Sequence, residues 1–215
     1  APSIAFGNDT TIFQCTAAQI CLPYTVSDAN GNLTLEQLVS GSGTIDTVNN
    51  QVCFTPAATG VYTFIVKAQD ACSVEDRDTI VVTVNQNNPP VASAGADQNL
   101  FQCTPTLVSW AASCSDPDGN LSTCQLISGT GTYNGSQISF TPASSGSYQF
   151  ILEATDACGV SRRDTAMITV TLNVAPSIAF GNDTTIFQCT GAQICLPYTI
   201  SDANSNISHE QLVSG

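Results

Sequence analysis

Apolar and polar residues alternate along this chain in short runs, each closed by Gly, Asn, Asp or Pro. A period of two places alternate side chains on opposite faces of an extended strand. The run 61–68 puts Tyr62, Phe64, Val66 and Ala68 on one face, and a later run does the same with Tyr148, Phe150, Leu152 and Ala154. Segments 79–84 and 165–172 are rich in β-branched residues, which suit strands. Within the first 86 residues, strands are expected at 3–6, 11–14, 19–26, 34–39, 44–47, 51–54, 61–68 and 79–84. No window combines a helical period with capping residues.

The same pattern recurs. Residues 1–41 and 175–215 differ at six positions only: Ala17/Gly191, Val26/Ile200, Gly31/Ser205, Leu33/Ile207, Thr34/Ser208 and Leu35/His209. A more diverged copy lies between them, in which Phe13-Gln14-Cys15-Thr16 returns as Phe101-Gln102-Cys103-Thr104. The expected organisation is a type A repeat at 1–86, a type B repeat at 87–172 and the first strands of a second type A repeat at 173–215. It reads as a window on a longer array. Strands at this spacing in repeats of about 87 residues imply two packed sheets. The fold class expected is all-β, with tandem immunoglobulin-like β-sandwich domains arranged end to end. Tyr62 and Tyr148, each two residues after a glycine, stand where such a sandwich places a tyrosine corner. The competing reading is an ordinary core tyrosine.

Charge narrows the function. The net charge is −13, and the basic residues are Lys67, Arg77, Arg162 and Arg163. A nucleic-acid partner needs a basic footprint, and none exists here. Attraction to an anionic membrane is disfavoured for the same reason. No apolar run is long enough to span a bilayer. Charged residues are only 10% of the chain, so its polar surface is mostly Ser, Thr, Asn and Gln. That surface suits a secreted polymer.

The segments Pro90-Val91-Ala92-Ser93-Ala94-Gly95-Ala96-Asp97-Gln98 and Ser115-Asp116-Pro117-Asp118-Gly119 resemble the opening of bacterial PKD-type repeats. Glu153-Ala154-Thr155-Asp156-Ala157 and the linker Val84-Asn85-Gln86-Asn87-Asn88-Pro89-Pro90 resemble cadherin-like repeats. The resemblance implies a large multi-repeat surface or extracellular protein of bacteria. The chain departs from both families in its cysteines.

Ten cysteines without a Cys-x-x-Cys spacing point to disulfides in an oxidising compartment rather than to zinc. Comparison of the repeats suggests partners. Cys21 and Cys53 are both serine in the type B repeat, at Ser109 and Ser139, and joint loss is what a bonded pair shows. Cys114 and Cys124 occur together in type B alone and are paired on the same logic. For Cys15, Cys72, Cys103 and Cys158 two readings stand. One bonds Cys15–Cys72 and Cys103–Cys158 within each repeat. The other bonds Cys15 to Cys158 across repeats, with Cys103 and Cys189 reaching forward and Cys72 backward. Geometry argues for the second. Cys15 and Cys72 fall at opposite ends of a strand of about eight residues, more than about 25 Å apart, whereas a disulfide needs Cα atoms within about 7 Å.

Asp28, Asp70, Asp116, Asp118 and Asp156 fall in loops at one end of the repeats. With Asn87 and Asn88 they form an oxygen-rich calcium site under the cadherin-like resemblance. The alternative is that Asp and Asn simply cap their own turns. Asn8, Asn32, Asn120, Asn134, Asn182 and Asn206 open Asn-x-Ser/Thr sequons, so attached glycans are a candidate feature. Catalysis finds no footing. The single histidine, His209, stands where the first repeat has Leu35, and no nucleophile or phosphate-loop motif occurs. Trp110 falls on a core-facing stretch and reads as packing.

The expectation is a non-catalytic structural repeat of an extracellular filament or surface stalk, with no resident cofactor. Its partners would be neighbouring repeats or copies of itself. The alternative is an adhesin or ligand-binding module.

Overall fold

A computed structural model describes residues 1–214. Strands are the only regular structure among the described residues. Contacts divide the chain into two units. The first comprises Ala1–Pro89, Asp116–Asn120 and Ala157–Val160, and the second comprises Pro90–Ser115, Leu121–Asp156 and Ser161–Gly215.

The first unit contains β1 (Pro2–Phe6), β2 (Thr10–Gln14), β3 (Ile20–Asp28), β4 (Leu33–Ser40), β5 (Thr44–Asp46), β6 (Gln51–Phe54), β7 (Gly60–Asp70) and β8 (Glu75–Gln86). One sheet has the order β1-β3-β6-β5 and the other β2-β8-β7-β4. The period-two residues of both sheets meet in one core: Ile4, Ile20, Leu22, Tyr24, Val52 and Phe54 from the first, and Phe64, Val66, Ala68, Ile80, Val82 and Val84 from the second. Full burial of a large aliphatic or aromatic side chain stabilises by about 1.5–3 kcal/mol, so this shared interior holds the two layers together.

The chain changes sheets between β1 and β2. β1 pairs antiparallel with β3, and β2 runs parallel to β8 in the opposite sheet. The N–H groups on the free side of β1 still need acceptors. Ile4 N–H donates to Asp76 Oδ2 (2.8 Å) and Phe6 N–H to Asp78 Oδ2 (2.6 Å). Asp9, in the crossover, accepts from the Val81 N–H at 2.9 Å. β8 begins at Glu75, earlier than the expected 79–84, because its ladder with β7 runs on to the Gln69–Glu75 pair. Its charged opening weighs against a strand on propensity, but the carboxylates there complete the hydrogen bonding of β1.

The second unit repeats the plan with β9 (Val91–Ser93), β10 (Gln98–Gln102), β11 (Val108–Ala111), β12 (Ser113–Ser115), β13 (Leu121–Ser128), β14 (Thr132–Tyr133), β15 (Gln137–Phe140), β16 (Gly146–Asp156) and β17 (Ser161–Leu172). One sheet, β10-β17-β16-β13, is continuous. The opposing layer is divided into β11-β15-β14 and β12-β9. The core is more aromatic. Trp110 stacks edge-on against Phe150 with centroids 4.9 Å apart, and its buried indole N–H donates to the Ala94 carbonyl at 2.7 Å. Trp110 is thus a packing residue with its one polar group satisfied.

Gly41 and Gly129 do the same work in the two cores. Both have positive φ (112° and 115°), and a Cβ at either would strike the Phe64 or Phe150 ring. Only glycine combines that backbone with that approach. Beyond Leu172, the second unit holds a two-stranded ladder of β18 (Ser177–Phe180) and β19 (Tyr198–Ser201).

Candidate functional site: cysteine pairs and acidic loops

Cys21 and Cys53 are directly opposed in the β3–β6 ladder and disulfide-bonded, with Cα atoms 4.1 Å apart. Cys114 on β12 is bonded to Cys124 on β13, Cα–Cα 5.9 Å. The third bond joins Cys15, directly after β2, to Cys158, in the β16–β17 turn, Cα–Cα 5.3 Å across 143 residues of sequence. Both partners lie in the first unit, which includes the 157–160 turn. Cys72, Cys103, Cys189 and Cys195 are free thiols, all exposed.

Around Cys15 and Cys158 the backbone is tied by a short network. The Asn87 N–H donates to the Gln14 carbonyl (2.9 Å) and the Ala157 N–H to the Asn120 carbonyl (2.8 Å). Asp118 accepts from the Asn88 backbone N–H (2.5 Å) and side-chain amide (2.9 Å). Asn120 and Asn87 join through their side-chain amides at 2.8 Å. Within the second unit the same pattern returns 86 residues on. Asn173 N–H donates to Gln102 O (2.8 Å), Val174 N–H to Asn204 Oδ1 (2.6 Å) and Asn206 Nδ2 to Asn173 Oδ1 (2.6 Å).

Each of these loops is shaped by its first aspartate. Asp28 Oδ1 accepts from the N–H groups of Asn30 (2.9 Å) and Asn32 (3.3 Å). Asp116 does the same for Asp118 (2.8 Å) and Asn120 (3.4 Å), and Asp202 for Asn204 (2.7 Å) and Asn206 (3.4 Å). Burial raises the Asp28 pKa, but the Asn32 and Asn30 hydrogen bonds and the N-terminal amine 3.8 Å away outweigh it, and the carboxyl lies below its ordinary value. Asp70 is buried and accepts from the Cys72 and Val74 N–H groups, each at 2.9 Å, which fixes the β7–β8 turn. Asp156 holds the matching position at the end of β16 and is also buried.

Of the five candidate calcium ligands, Asp28, Asp70 and Asp116 therefore serve as turn acceptors, and Asp118 holds the linker residue Asn88. Among the described residues no group of three or more His, Cys, Asp or Glu is placed to hold a metal ion. Three oxygens in these loops, Asp28 Oδ2, Asn32 Oδ1 and Asp202 Oδ2, are buried without a hydrogen-bond donor.

The sequons differ in access. Asn8 and Asn182 are exposed. Asn134 is exposed, with its Oδ1 fixed by Ser136 and Gln137. Asn32 and Asn120 are half-buried, and in either orientation of its amide Asn120 is engaged by Asn87 or Asp116. Asn206 gives its Nδ2 to Asn173. His209 is exposed beside Gln211, at 3.3 Å.

The β18–β19 ladder leaves an apolar hollow lined by Ile178, Phe180, Ile194, Leu196, Tyr198 and Leu212. Their counterparts in the first unit, Ile4, Phe6, Ile20, Leu22, Tyr24 and Leu38, are buried in its core or packed against it.

Two features of the site escaped the sequence reading: the Asp76/Asp78 acceptors and the amide ladder on Asn87 and Asn88. Recurrence of Asp-x-Asn/Asp-x-Asn at 28–32, 116–120 and 202–206 was the available signal for the second.

Residues 87–173 match the bacterial Ig domain family. Among solved structures, the chain is similar to extracellular cadherin domains 1–5 of protocadherin gamma B2, at a TM-score of 0.58 and 13% identity over 94% of this chain and 46% of that one. It is also similar to extracellular cadherin domains 1–4 of protocadherin gamma B7, with TM-score 0.55 and 15% identity over 94% of this chain and 59% of that one. A protocadherin gamma B7 EC3-6 cis-dimer structure aligns with TM-score 0.52 and 14% identity, over 94% of this chain and 61% of that one. The chain thus spans about half to three-fifths of the length of these neighbours, and at such identities the likeness establishes the fold alone. No curated protein matches the sequence.

Proposed function

We propose that this chain, whose residues 87–173 match the bacterial Ig domain family, is a structural segment of an extracellular filament or surface stalk, in which successive repeats are covalently stapled. The observation that supports this reading is the Cys15–Cys158 bond. It ties a cysteine of the first sequence repeat to one of the second. A staple of that kind keeps two neighbouring repeats joined under load. The near-identity of residues 1–41 and 175–215 agrees with it, because a polymer reuses one unit whereas binding loops diverge. A disulfide-dense, acidic chain also fits an oxidising compartment outside the cell.

Electron microscopy of native material, before and after thiol reduction, tests the proposal. Filaments of uniform width that lose persistence on reduction are the expected result. Dispersed single chains that bind a soluble ligand through the 28–32 and 116–120 loops would favour the adhesin reading instead.

A second reading, calcium held in those loops, draws on Asn32 Oδ1, buried without a donor, and on Asp28 Oδ2, which has no hydrogen bond and only the N-terminal amine 3.8 Å away. A buried acceptor without a donor costs about 1–3 kcal/mol, which a bound cation would offset. Calcium takes six to eight oxygens, so backbone carbonyls and water would complete the set. A melting temperature that rises with calcium and falls with EDTA is expected. An unchanged melting temperature rejects the site.

A further inference from the structure

We infer that Cys103 and Cys72 are the two halves of a second staple, in which the cysteine after the second strand of a type B repeat bonds the turn cysteine of a type A repeat supplied by a second copy of this chain. The inference rests on the filament reading and extends it from one kind of junction to both.

Correspondences between the two repeats carry it. Cys103 follows β10 as Cys15 follows β2, since Phe13-Gln14-Cys15 and Phe101-Gln102-Cys103 correspond. Cys72 lies in the β7–β8 turn as Cys158 lies in the β16–β17 turn. The turns are held alike: Ala71 N–H donates to Asn32 O (3.0 Å) as Ala157 N–H does to Asn120 O (2.8 Å). Cys15 and Cys158 are bonded, whereas Cys72 and Cys103 are both exposed thiols.

A further observation concerns which repeat type meets Cys103. The network beside Cys15 uses a type B loop, 116–120, on linker residues Asn87 and Asn88. Beside Cys103, the Gln102 carbonyl accepts from Asn173, and a type A loop, 202–206, sits on linker residues Asn173 and Val174. The site that follows Cys103 therefore already accepts a type A loop. A complete type A repeat carries a cysteine in the adjacent turn, and that cysteine is Cys72.

A second copy brings a complete type A repeat with twelve buried core residues. The chemistry is a two-electron oxidation. Two thiols and one low-molecular-weight disulfide give the Cys72–Cys103 disulfide and two low-molecular-weight thiols.

The test incubates the 215-residue chain at increasing concentration in a buffer of oxidised and reduced glutathione. Non-reducing electrophoresis and peptide mapping follow. A ladder of linked species carrying a Cys72–Cys103 crosslink is expected. Cys72→Ser and Cys103→Ser should each abolish it, and Cys195→Ser should leave it intact. Monomer at every concentration, or links through Cys189 or Cys195 that survive Cys72→Ser, would overturn the inference. Native filaments that persist in Cys72→Ser material with no such crosslink would sink the second staple and leave the filament. A crosslink without filaments in native material would do the reverse.

Discussion

Ser109 and Ser139 face each other across the β11–β15 ladder with their hydroxyl oxygens 2.8 Å apart, at the place where the other repeat has the Cys21–Cys53 disulfide. One register position thus carries either a covalent or a hydrogen-bonded crosslink. The Ser109→Cys/Ser139→Cys double variant should oxidise without rearrangement. A loop of 30 residues closed this way stabilises by about 3–4 kcal/mol on chain entropy. Cys21→Ser/Cys53→Ser should keep the sandwich and lose a similar amount. Urea unfolding with and without reductant measures both. A double-serine variant that fails to fold would mean the bond is needed to pair β3 with β6 at all.

Asp78 acts as a substitute acceptor for β1, which has only one ladder partner, and Asp164 does the same for Ala94, the residue directly after β9. Asp78 takes the Phe6 N–H and Asp164 the Ala94 N–H, the latter at 2.8 Å. Asp78→Ala leaves the Phe6 N–H unpaired, at an expected cost of about 1–3 kcal/mol. Hydrogen exchange should show faster exchange at Phe6 and Ile4, with β7 amides unaffected. Uniform acceleration across both sheets would show instead that β1 is part of the global unfolding unit.

The strands were legible because both sheets have a clean inward face. Tyr62-x-Phe64-x-Val66-x-Ala68 aligns four inward positions, all packed in or against the core. Sheet membership was less legible, since β1 and β2 are both only five residues long, and the switch between them involves Asp9, Asp76 and Asp78. Cysteine partners could be reasoned out only because the chain holds two diverged copies of one repeat. The amide contacts of Asn87 and Asn88 could not be, because Asn in a linker reads as an ordinary turn residue.

Tyr62 and Tyr148 both form the corner. Their hydroxyls donate to the Ala58 and Ser144 carbonyls, each at 2.7 Å, four residues upstream. Tyr148→Phe keeps the ring packed on Phe140, with centroids 4.9 Å apart, and removes the hydroxyl with its two hydrogen bonds, the one given to the Ser144 carbonyl and the one accepted from the Ser144 N–H (3.2 Å). The expected loss is about 1 kcal/mol, read as a shift in urea midpoint at unchanged slope. A loss of under about 0.3 kcal/mol, small against that typical hydrogen-bond contribution, would make the corner a packing feature alone.

Tyr24 gives the protein an alkaline limit. Burial, then the hydrogen bond to Glu36 (2.7 Å) and the charges of Glu36 and Asp46, push its hydroxyl well above the ordinary tyrosine range. Below about pH 10 the hydroxyl is protonated in both folded and unfolded chains, so the favourable interaction is fully present. Above that, the unfolded chain ionises first and stability is lost as pH rises towards the folded value. Stability measured by urea between pH 9 and 12, a window of about one unit below to two above the free tyrosine value, should therefore fall more steeply for the parent than for Tyr24→Phe. The variant itself should be less stable at neutral pH, because the Glu36 carboxylate loses its donor. Parallel pH curves for the two proteins would mean that Tyr24 ionises as freely in the folded protein as in the unfolded chain.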